Sequence, residues 1–573
     1  MPSTFVEVLR ERAAQAGDDE AFTFLGDDGA ERITYADLDT RARAVAAAIQ
    51  ASGAPHGERA LLLYPPGLEY VYALFGCMYA GAIPVPAYPP DPARLNRTVP
   101  RLLAILRDAQ AGTILTLEAI RANAGELFRQ ASAGEPATQI ATDVRAVGTE
   151  DGWRDPDVGA EHLGLLQYTS GSTATPRGVM VSHGNLIRNS EFIERGFGHR
   201  RASRAVIWLP PYHDMGLIGG ILQPVFGGFP CTLLSPLTFL RRPYKWLKAV
   251  SDYRATTSGG PNSAFDMCVQ KIAPEQRETL DLSSWEVAFN GAEPVRAETL
   301  DSFTATFAPC GFRREAFYPC YGLAEGTLMA TGAERPLGPV SRFDADAERL
   351  ETDDEAVPAA PGARVTTLVG CGGADVDHEV VVVDREALTP LPDGGVGEIW
   401  LRGPSVTHGY FGNPEATEEV FGARLADGTG PFLRTGDLGF LRDGELYVTG
   451  RAKDLVVVAG RNYYPSDIEL AAQTVPGVRR NAGAAFAVRT DGREHVVVVT
   501  EVADRDGLDP HGVVEGIRRA VAQSLDLQVQ GVALVRPRTM PKTSSGKIQR
   551  SVARSEYLDG SLDVVAEWSL DPA

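Results

Sequence analysis

The stretch Leu166-Gln-Tyr-Thr-Ser-Gly-Ser-Thr-Ala-Thr-Pro-Arg-Gly178 crowds hydroxyls and glycines into a loop that opens after an apolar strand. Such a loop turns backbone N–H groups and Ser/Thr hydroxyls toward phosphate oxygens; the candidate donors are Thr169, Ser170, Gly171, Ser172, Thr173, Arg177 and Gly178. It is not a Walker A loop, because Pro176 stands where that motif needs its second glycine. A second feature is apolar. No acidic side chain occurs between Asp214 and Asp252, and Met215 to Leu240 carries no charge of either sign. A substrate with an ammonium group needs a buried carboxylate partner, so this run favours one with an apolar tail. Each buried methylene contributes about 0.8 kcal/mol, enough for a long chain to bind by burial alone. His213, Met215, Gly216, Ile218, Ser258 and Pro261 are the candidate wall residues, with His213 at the polar end.

The elements around these stretches alternate. Arg59-Ala-Leu-Leu-Leu-Tyr reads as a strand, Gly67 to Gly81 as a helix, and Ala82-Ile-Pro-Val-Pro as another extended piece. This pattern predicts an α/β fold with largely parallel strands. Met1 to Glu20 reads as a surface helix, since Glu7, Arg10, Glu11 and Arg12 interrupt any signal-like apolar run. The charge-free run also holds Pro224, Pro230 and Pro236, which would break a lipid-exposed helix, and is expected to be buried strand-and-turn backbone. Glu334 to Pro361, rich in Asp, Glu, Ala and Pro, reads as an inserted surface segment within an insertion over about residues 334–369. A further shift at Gly450-Arg-Ala-Lys-Asp454 places a domain boundary between 1–450 and 451–573.

Downstream of the phosphate-type loop come Tyr212-His-Asp-Met-Gly-Leu-Ile-Gly219, Asn290-Gly-Ala-Glu-Pro294, Tyr321-Gly-Leu-Ala-Glu325, Arg434-Thr-Gly-Asp-Leu438, Gly450-Arg-Ala-Lys-Asp454 and Pro541-Lys-Thr-Ser-Ser-Gly-Lys547. This ordered set resembles the adenylate-forming superfamily of acyl-CoA synthetases, luciferases and peptide-synthetase adenylation domains, over almost the whole chain. Leu166 to Ser172, Arg242-Pro-Tyr-Lys-Trp-Leu, Gly260-Pro-Asn-Ser-Ala-Phe265 and Gly460-Arg-Asn-Tyr-Tyr-Pro-Ser-Asp-Ile468 narrow the resemblance to its fatty acyl-AMP ligase branch, whose members carry an insertion where Glu334 to Pro361 falls.

The resemblance implies a large N-terminal domain of layered α/β subdomains and a small mobile α+β C-terminal lid. It implies ATP and Mg2+, a fatty acid substrate, and transfer of the acyl group to a separate acyl carrier protein in the cytoplasm. By the same match Lys547 is the catalytic lysine and Glu325 the metal ligand. Asn290, Gly291, Ala292, Tyr321 and Gly322 would line the adenine site, Asp437 and Arg451 the ribose site, and Lys453 would be the hinge. A carboxylate is an anion and a poor electrophile; a lid-borne ammonium answers the first problem and adenylation the second. The loop departs from the usual pattern at Ala174, where glycine is common, and Arg177, where lysine is usual. Two other readings stand beside this one: an acyl-CoA synthetase, and a catalytically silent adenylate-binding protein.

The net charge of −20 excludes a general attraction to nucleic acid or anionic lipid. From Arg451 onward 16 basic side chains balance 16 acidic ones, so the whole excess lies before that point. A carrier protein is typically acidic, so docking would need a local basic patch; Arg479, Arg480, Arg518, Arg519, Arg536 and Arg538 are the candidates. The six cysteines show no metal-type spacing and read as reduced thiols.

Overall fold

Arg59–Leu63 is an inner strand of a parallel four-stranded sheet, between Ile83–Pro86 and Thr113–Thr116, with Thr138–Ala141 outermost. Its side chains alternate between two buried faces: Ala60 and Leu62 join the main core, Leu61 and Leu63 a separate cluster with Ile83, Leu102 and Ile114. The helix Leu68–Ala80 follows, closed by Gly81 in the left-handed conformation. The computed structural model describes residues 2–26, 29–89, 95–123, 137–144, 149–168, 176–333, 338–458, 461–490, 493–503, 508–543 and 546–570.

A seven-stranded sheet runs in the order Phe317–Pro319, Val287–Asn290, Thr257–Gly260, Ala205–Ile207, Cys231–Leu234, Glu20–Leu25, Ala30–Thr34, parallel except for its last pair. The strand ends at Asn290 and Pro319 therefore lie side by side, which is where an open parallel sheet binds ligands. An antiparallel sheet of Glu379–Val383, Gly397–Arg402, Leu433–Arg442 and Glu445–Arg451 leads into the C-terminal part. There Val478–Thr490, Arg493–Val502, Gly531–Val535 and Val564–Ser569 form a sheet with its own core, including Ile468, Val498, Ile517 and Val532.

Two expectations are corrected. The charge-free run is mostly helical: Asp214–Leu217 continues through a π turn, Ile218–Leu222, into Gln223–Gly227, and stops at Gly228. The π turn explains how a proline fits. The N–H of Gln223 bonds to the carbonyl of Ile218, and the wider turn precedes Pro224, which cannot donate. Likewise, the inserted segment is not unpatterned surface. Arg342–Asp346 pairs antiparallel with Val365–Val369, and its period-two residues Phe343 and Ala345 are buried. Asp346 caps the helix Ala347–Thr352, whose Leu350 packs with Phe440 and Tyr447 of the antiparallel sheet and with Tyr464 of the C-terminal part. Among the described residues no helix is long and apolar enough to cross a membrane, and the six cysteines are free thiols.

Candidate active site

The strand Val287–Asn290 leads into a cavity of about 1070 Å³ between the large domain and the C-terminal part, which Phe289 and Gly291 line and Asn290 does not. Asn290 is buried in the wall behind it, where its amide donates to Asn262 Oδ1 at 3.2 Å and its own oxygen finds no partner among the described residues. Gly291 lies so close to the Cys320 carbonyl that a Cβ would stand 2.7 Å from it, and Ala292 takes a φ of +73°. The neighbouring Tyr321-Gly322 strand crosses next to this turn; a Cβ on Gly322 would stand 1.7 Å from the Leu328 carbonyl oxygen. The Tyr321 hydroxyl donates to Asp437 at 2.8 Å, and Arg451 Nε donates to the other carboxylate oxygen at 3.0 Å. Gly291, Ala292, Tyr321, Gly322, Asp437 and Arg451 all line the cavity.

Glu325 sits on a short turn, Ala324–Gly326, with its backbone carbonyl held by the N–H of Thr407 at 2.9 Å. Burial raises its carboxyl pKa, and the Tyr410 hydroxyl, donating at 2.8 Å, pulls it back down. The Arg177 guanidinium lies over the Tyr410 ring at 5.2 Å. Tyr410 gave no sequence signal. It reaches the site because its segment bridges to Val179, in the strand Gly178–Ser182 that also carries Gly178. Thr169, Ser170, Gly171, Ser172 and Thr173, with Ala174, lie outside the described residues, although the strands on either side, Leu163–Tyr168 and Gly178–Ser182, pair antiparallel.

Lys547 enters the same cavity from a closed loop in which the Thr543 N–H bonds to the Lys547 carbonyl at 2.8 Å and the Gln549 N–H to Pro541 at 3.0 Å. Burial lowers the pKa of its ammonium, while the carboxylates of Asp214 and Glu293 act to keep it charged. Burial alone would raise Asp214, but the His213 ring against it, together with Lys547, holds its carboxyl below the ordinary value. Asp214 and Glu293 carry no assigned role in the sequence reading, although both lie inside its motifs, Asp214 beside His213 and Glu293 beside Ala292. Lys453 lies in the turn Ala452–Asp454, its ammonium lowered first by burial and then by Arg451. Arg550, three residues after Lys547, forms a two-point pair with Glu469 at 2.6 and 2.8 Å and reaches Asp454 at 3.6 Å.

The apolar side of the cavity is walled by Ile193, Phe197, Met215, Gly219, Leu328 and Met329. Here the expected wall is partly corrected. His213 and Met215 line the cavity; Gly216, Ile218, Ser258 and Pro261 do not. The helical period explains the difference, since Met215 and Gly219 share a face one turn apart. Gly216 is pressed against the Pro210 carbonyl and Ile218 is buried in the core. The Ser258 hydroxyl is enclosed between the Trp246 indole, which donates to it at 2.8 Å, and the Val206 carbonyl. Of the six candidate patch arginines, Arg536 pairs with Asp563, Arg479 with Glu501, and Arg518 pairs with Glu515 while stacking on Trp568.

Residues 9–411 match the AMP-binding enzyme family, and residues 453–567 match the AMP domain of Disco-interacting protein 2-like proteins. The chain is 45% identical to a medium-chain-fatty-acid--[acyl-carrier-protein] ligase of Moorena producens, over 98% of this chain and 96% of the relative. It is 36% identical to a long-chain-fatty-acid--AMP ligase of Mycolicibacterium smegmatis, over 98% and 95%. Among solved structures, a fatty acid AMP ligase from Legionella pneumophila aligns with a TM-score of 0.76 at 39% identity, covering 100% of this chain and 98% of that one. With the ordered motifs, the two-part α/β fold and matches of this extent along the whole chain, the protein belongs to the AMP-binding enzyme family and, within it, to the fatty acyl-AMP ligases.

Proposed function

We infer that the chain joins a fatty acid to AMP and then passes the acyl group to the phosphopantetheine thiol of a separate acyl carrier protein. In the first step a carboxylate oxygen attacks the α-phosphorus of ATP, the bond to the β-phosphate oxygen breaks, and pyrophosphate leaves. In the second the thiol sulfur attacks the acyl carbonyl, AMP leaves with the bonding electrons, and the thiol proton goes to solvent. The observation that carries this reading is the convergence of Lys547 from the C-terminal part with Tyr321, Glu325 and Asp437 of the large domain on one cavity with an apolar arm.

The residues divide the work by chemistry. Asp437, already fixed by Tyr321 and Arg451, accepts the ribose hydroxyls. Gly291, Ala292 and Gly322 let the backbone approach the adenine closely. Thr169 to Thr173 and Arg177 hold the triphosphate, while Lys547 offsets the charge gathering between the carboxylate and the α-phosphate. Carboxylates that keep Lys547 protonated raise the fraction of enzyme able to do this. Glu325 fits Mg2+: it presents a hard carboxylate held by the Tyr410 hydroxyl on a backbone pinned by the Thr407 N–H, and this ion typically takes one or two protein oxygens alongside water and phosphate. When bound, Mg2+ draws electron density from the phosphate oxygens. Lys453, in the turn joining the two parts, is the pivot about which the lid exchanges the two steps, with the boundary at 450/451. Localisation in the cytoplasm follows from this chemistry, which consumes ATP.

The test is Lys547→Ala, followed by pyrophosphate release and mass detection of acyl-AMP across fatty acids. A fall of at least about a hundredfold is expected for a charge acting in the transition state; undiminished yield would refute the assignment. Intact-mass detection of acylated carrier against free coenzyme A separates carrier transfer from a synthetase that uses coenzyme A, the activity in the printed names of some mycobacterial relatives.

A further inference from the structure

Lys547 is only as well placed as the contacts that seat the lid on the large domain. One of these contacts is built from three side chains whose donors and acceptors interlock. On the large domain, Asp266 lies on the helix Asn262–Lys271 and Arg296 immediately precedes the helix Ala297–Phe307. The two form an ion pair at 2.9 Å, and Thr299 donates to the second Asp266 oxygen, also at 2.9 Å. The Arg296 backbone N–H is held by Asn262 at 3.1 Å, so the pair is fixed before anything docks on it.

Asn481 comes from the lid and engages both members at once. Its amide nitrogen donates to Asp266 at 3.0 Å and its amide oxygen accepts from Arg296 at 3.1 Å. An asparagine is suited to this place twice over. It offers a donor and an acceptor side by side, and it tolerates the φ of +54° that it adopts where the strand Val478–Thr490 shifts register against its neighbour. The Asn481 backbone carbonyl accepts from Lys542 Nζ at 2.8 Å. Lys542 belongs to the closed loop that carries Lys547 and bridges across it to Ile548. A continuous chain of contacts thus runs from Asp266 and Arg296 through Asn481 and Lys542 to the loop that presents the catalytic ammonium.

We propose that Asp266, Arg296 and Asn481 form a latch that holds the lid in the pose for adenylation and sets the rate of acyl-AMP formation without acting on thioester formation. They are positioning residues, acting through Lys542 and the Lys547 loop. The proposal rests on the two-step reading above. Both hydrogen bonds made by the Asn481 amide reach a charged partner, so their loss shifts the docked fraction by roughly tenfold or more. Thioester formation proceeds after the lid has rotated away and does not use them.

The test compares the wild type with Asn481→Asp, Asp266→Asn and the double variant. Asn481→Asp removes the amide donor and sets a second carboxylate against Asp266. The double variant restores complementarity, because the new amide at 266 can donate to the new carboxylate at 481 while Arg296 still donates to it. Single-turnover acyl-AMP formation is expected to fall about tenfold or more in Asn481→Asp, to recover by at least about threefold in the double variant, and transfer from preformed acyl-AMP to carrier is expected to stay within about twofold throughout. Equal losses in both half-reactions, or a double variant no better than the worse single, overturns the latch. Hydrogen exchange at the paired amides of Thr543, Lys547 and Gln549 tests it without catalysis: exchange quickens in Asn481→Asp and slows again in the double variant. Unchanged exchange overturns the latch. A wild type that forms no acyl-AMP, with exchange behaving as stated, overturns the two-step reading and the rate assignment with it, and leaves standing the latch's hold on the Lys547 loop.

Discussion

Gly219 is the position at which acyl chain length should be most easily reset. It shares a helix face with Met215, lines the cavity, and is partly open while Ile218 and Gly220 on either side are buried. A Cβ placed there meets only the end of the Leu328 side chain, at 3.5 Å, which is ordinary contact. Gly219→Leu therefore grows four carbons into the cavity without forcing backbone apart, and it replaces a poor helix former with a good one. If those carbons exclude about three methylenes of the substrate, the loss is about 2.4 kcal/mol, or roughly 60-fold in kcat/KM. Acids whose tails stop short of Gly219 lose nothing and can gain slightly from the added apolar contact. The assay is pyrophosphate release over straight-chain acids from butyrate to myristate, with melting temperature as the control for folding. The expected result is a step: activity near that of the wild type up to one length, then a steep fall within two to three methylenes. An equal loss at every length, butyrate included, would refute the placement of the tail beside Gly219, and no loss at any length would show that the tail takes another path.

Asp467, in the first turn of the helix Pro465–Ala472, has its carboxyl pushed up to about 7, first by burial and then by Glu351, against the pull of Arg364. The folded protein keeps a proton that the unfolded chain releases near pH 4, so this group costs stability increasingly from about pH 4 to 7 and fully above that. The melting temperature of Asp467→Asn relative to the wild type should rise from pH 5.5 to pH 8, and a flat difference would count against it. Tyr410→Phe removes the donor that favours the ionised form of Glu325, so the acid limb of the kcat/KM profile should move to higher pH, as pH–rate measurements would read directly; an unmoved limb would count against it. Gly322→Ala sets a Cβ against a backbone carbonyl that cannot turn aside, and should lower stability by about 3 kcal/mol in urea unfolding.

Legibility from sequence followed the range of the interaction. Alternating runs such as Arg59 to Pro86 could be placed as strand, helix and strand because the pattern is local. Motif residues such as Tyr321, Asp437 and Lys547 were found by their order along the chain, and in the structure they line one cavity. The charge-free run misled because its prolines and glycines are strong punctuation in ordinary helices; a π turn absorbs Pro224, and nothing in the residue types announces one. The wall assignment took residues along that run without the helical face on which Met215 and Gly219 line the cavity. Within the inserted segment the period-two signal of Phe343 and Ala345 was short and hidden by the acidic residues around it. Tyr410 and Asn481 could not have been read at all. Each matters through partners more than 80 residues away, brought near by a bridge in one case and by lid docking in the other.

The contacts that seat the lid near Lys547 are polar, and a two-step enzyme has reason for that. An apolar interface of the same extent would hold the lid with several kcal/mol and make each turnover wait for it to open. Hydrogen bonds between charged and amide groups contribute less in net terms, because water replaces them on release, yet they demand close geometry while they last. Asn481 on Asp266 and Arg296 has this character: partly buried, directional and exchangeable with solvent. On the reading proposed above, a docking free energy of about 2 kcal/mol would keep the lid seated about 97% of the time and still let it leave on the timescale of catalysis. Replacing Asn481 by leucine, which removes the polar exchange and adds apolar contact, should therefore slow adenylation by misplacing Lys547. If it instead left adenylation intact and slowed thioester formation alone, tight seating would be the controlling quantity, and the geometry of the amide would not.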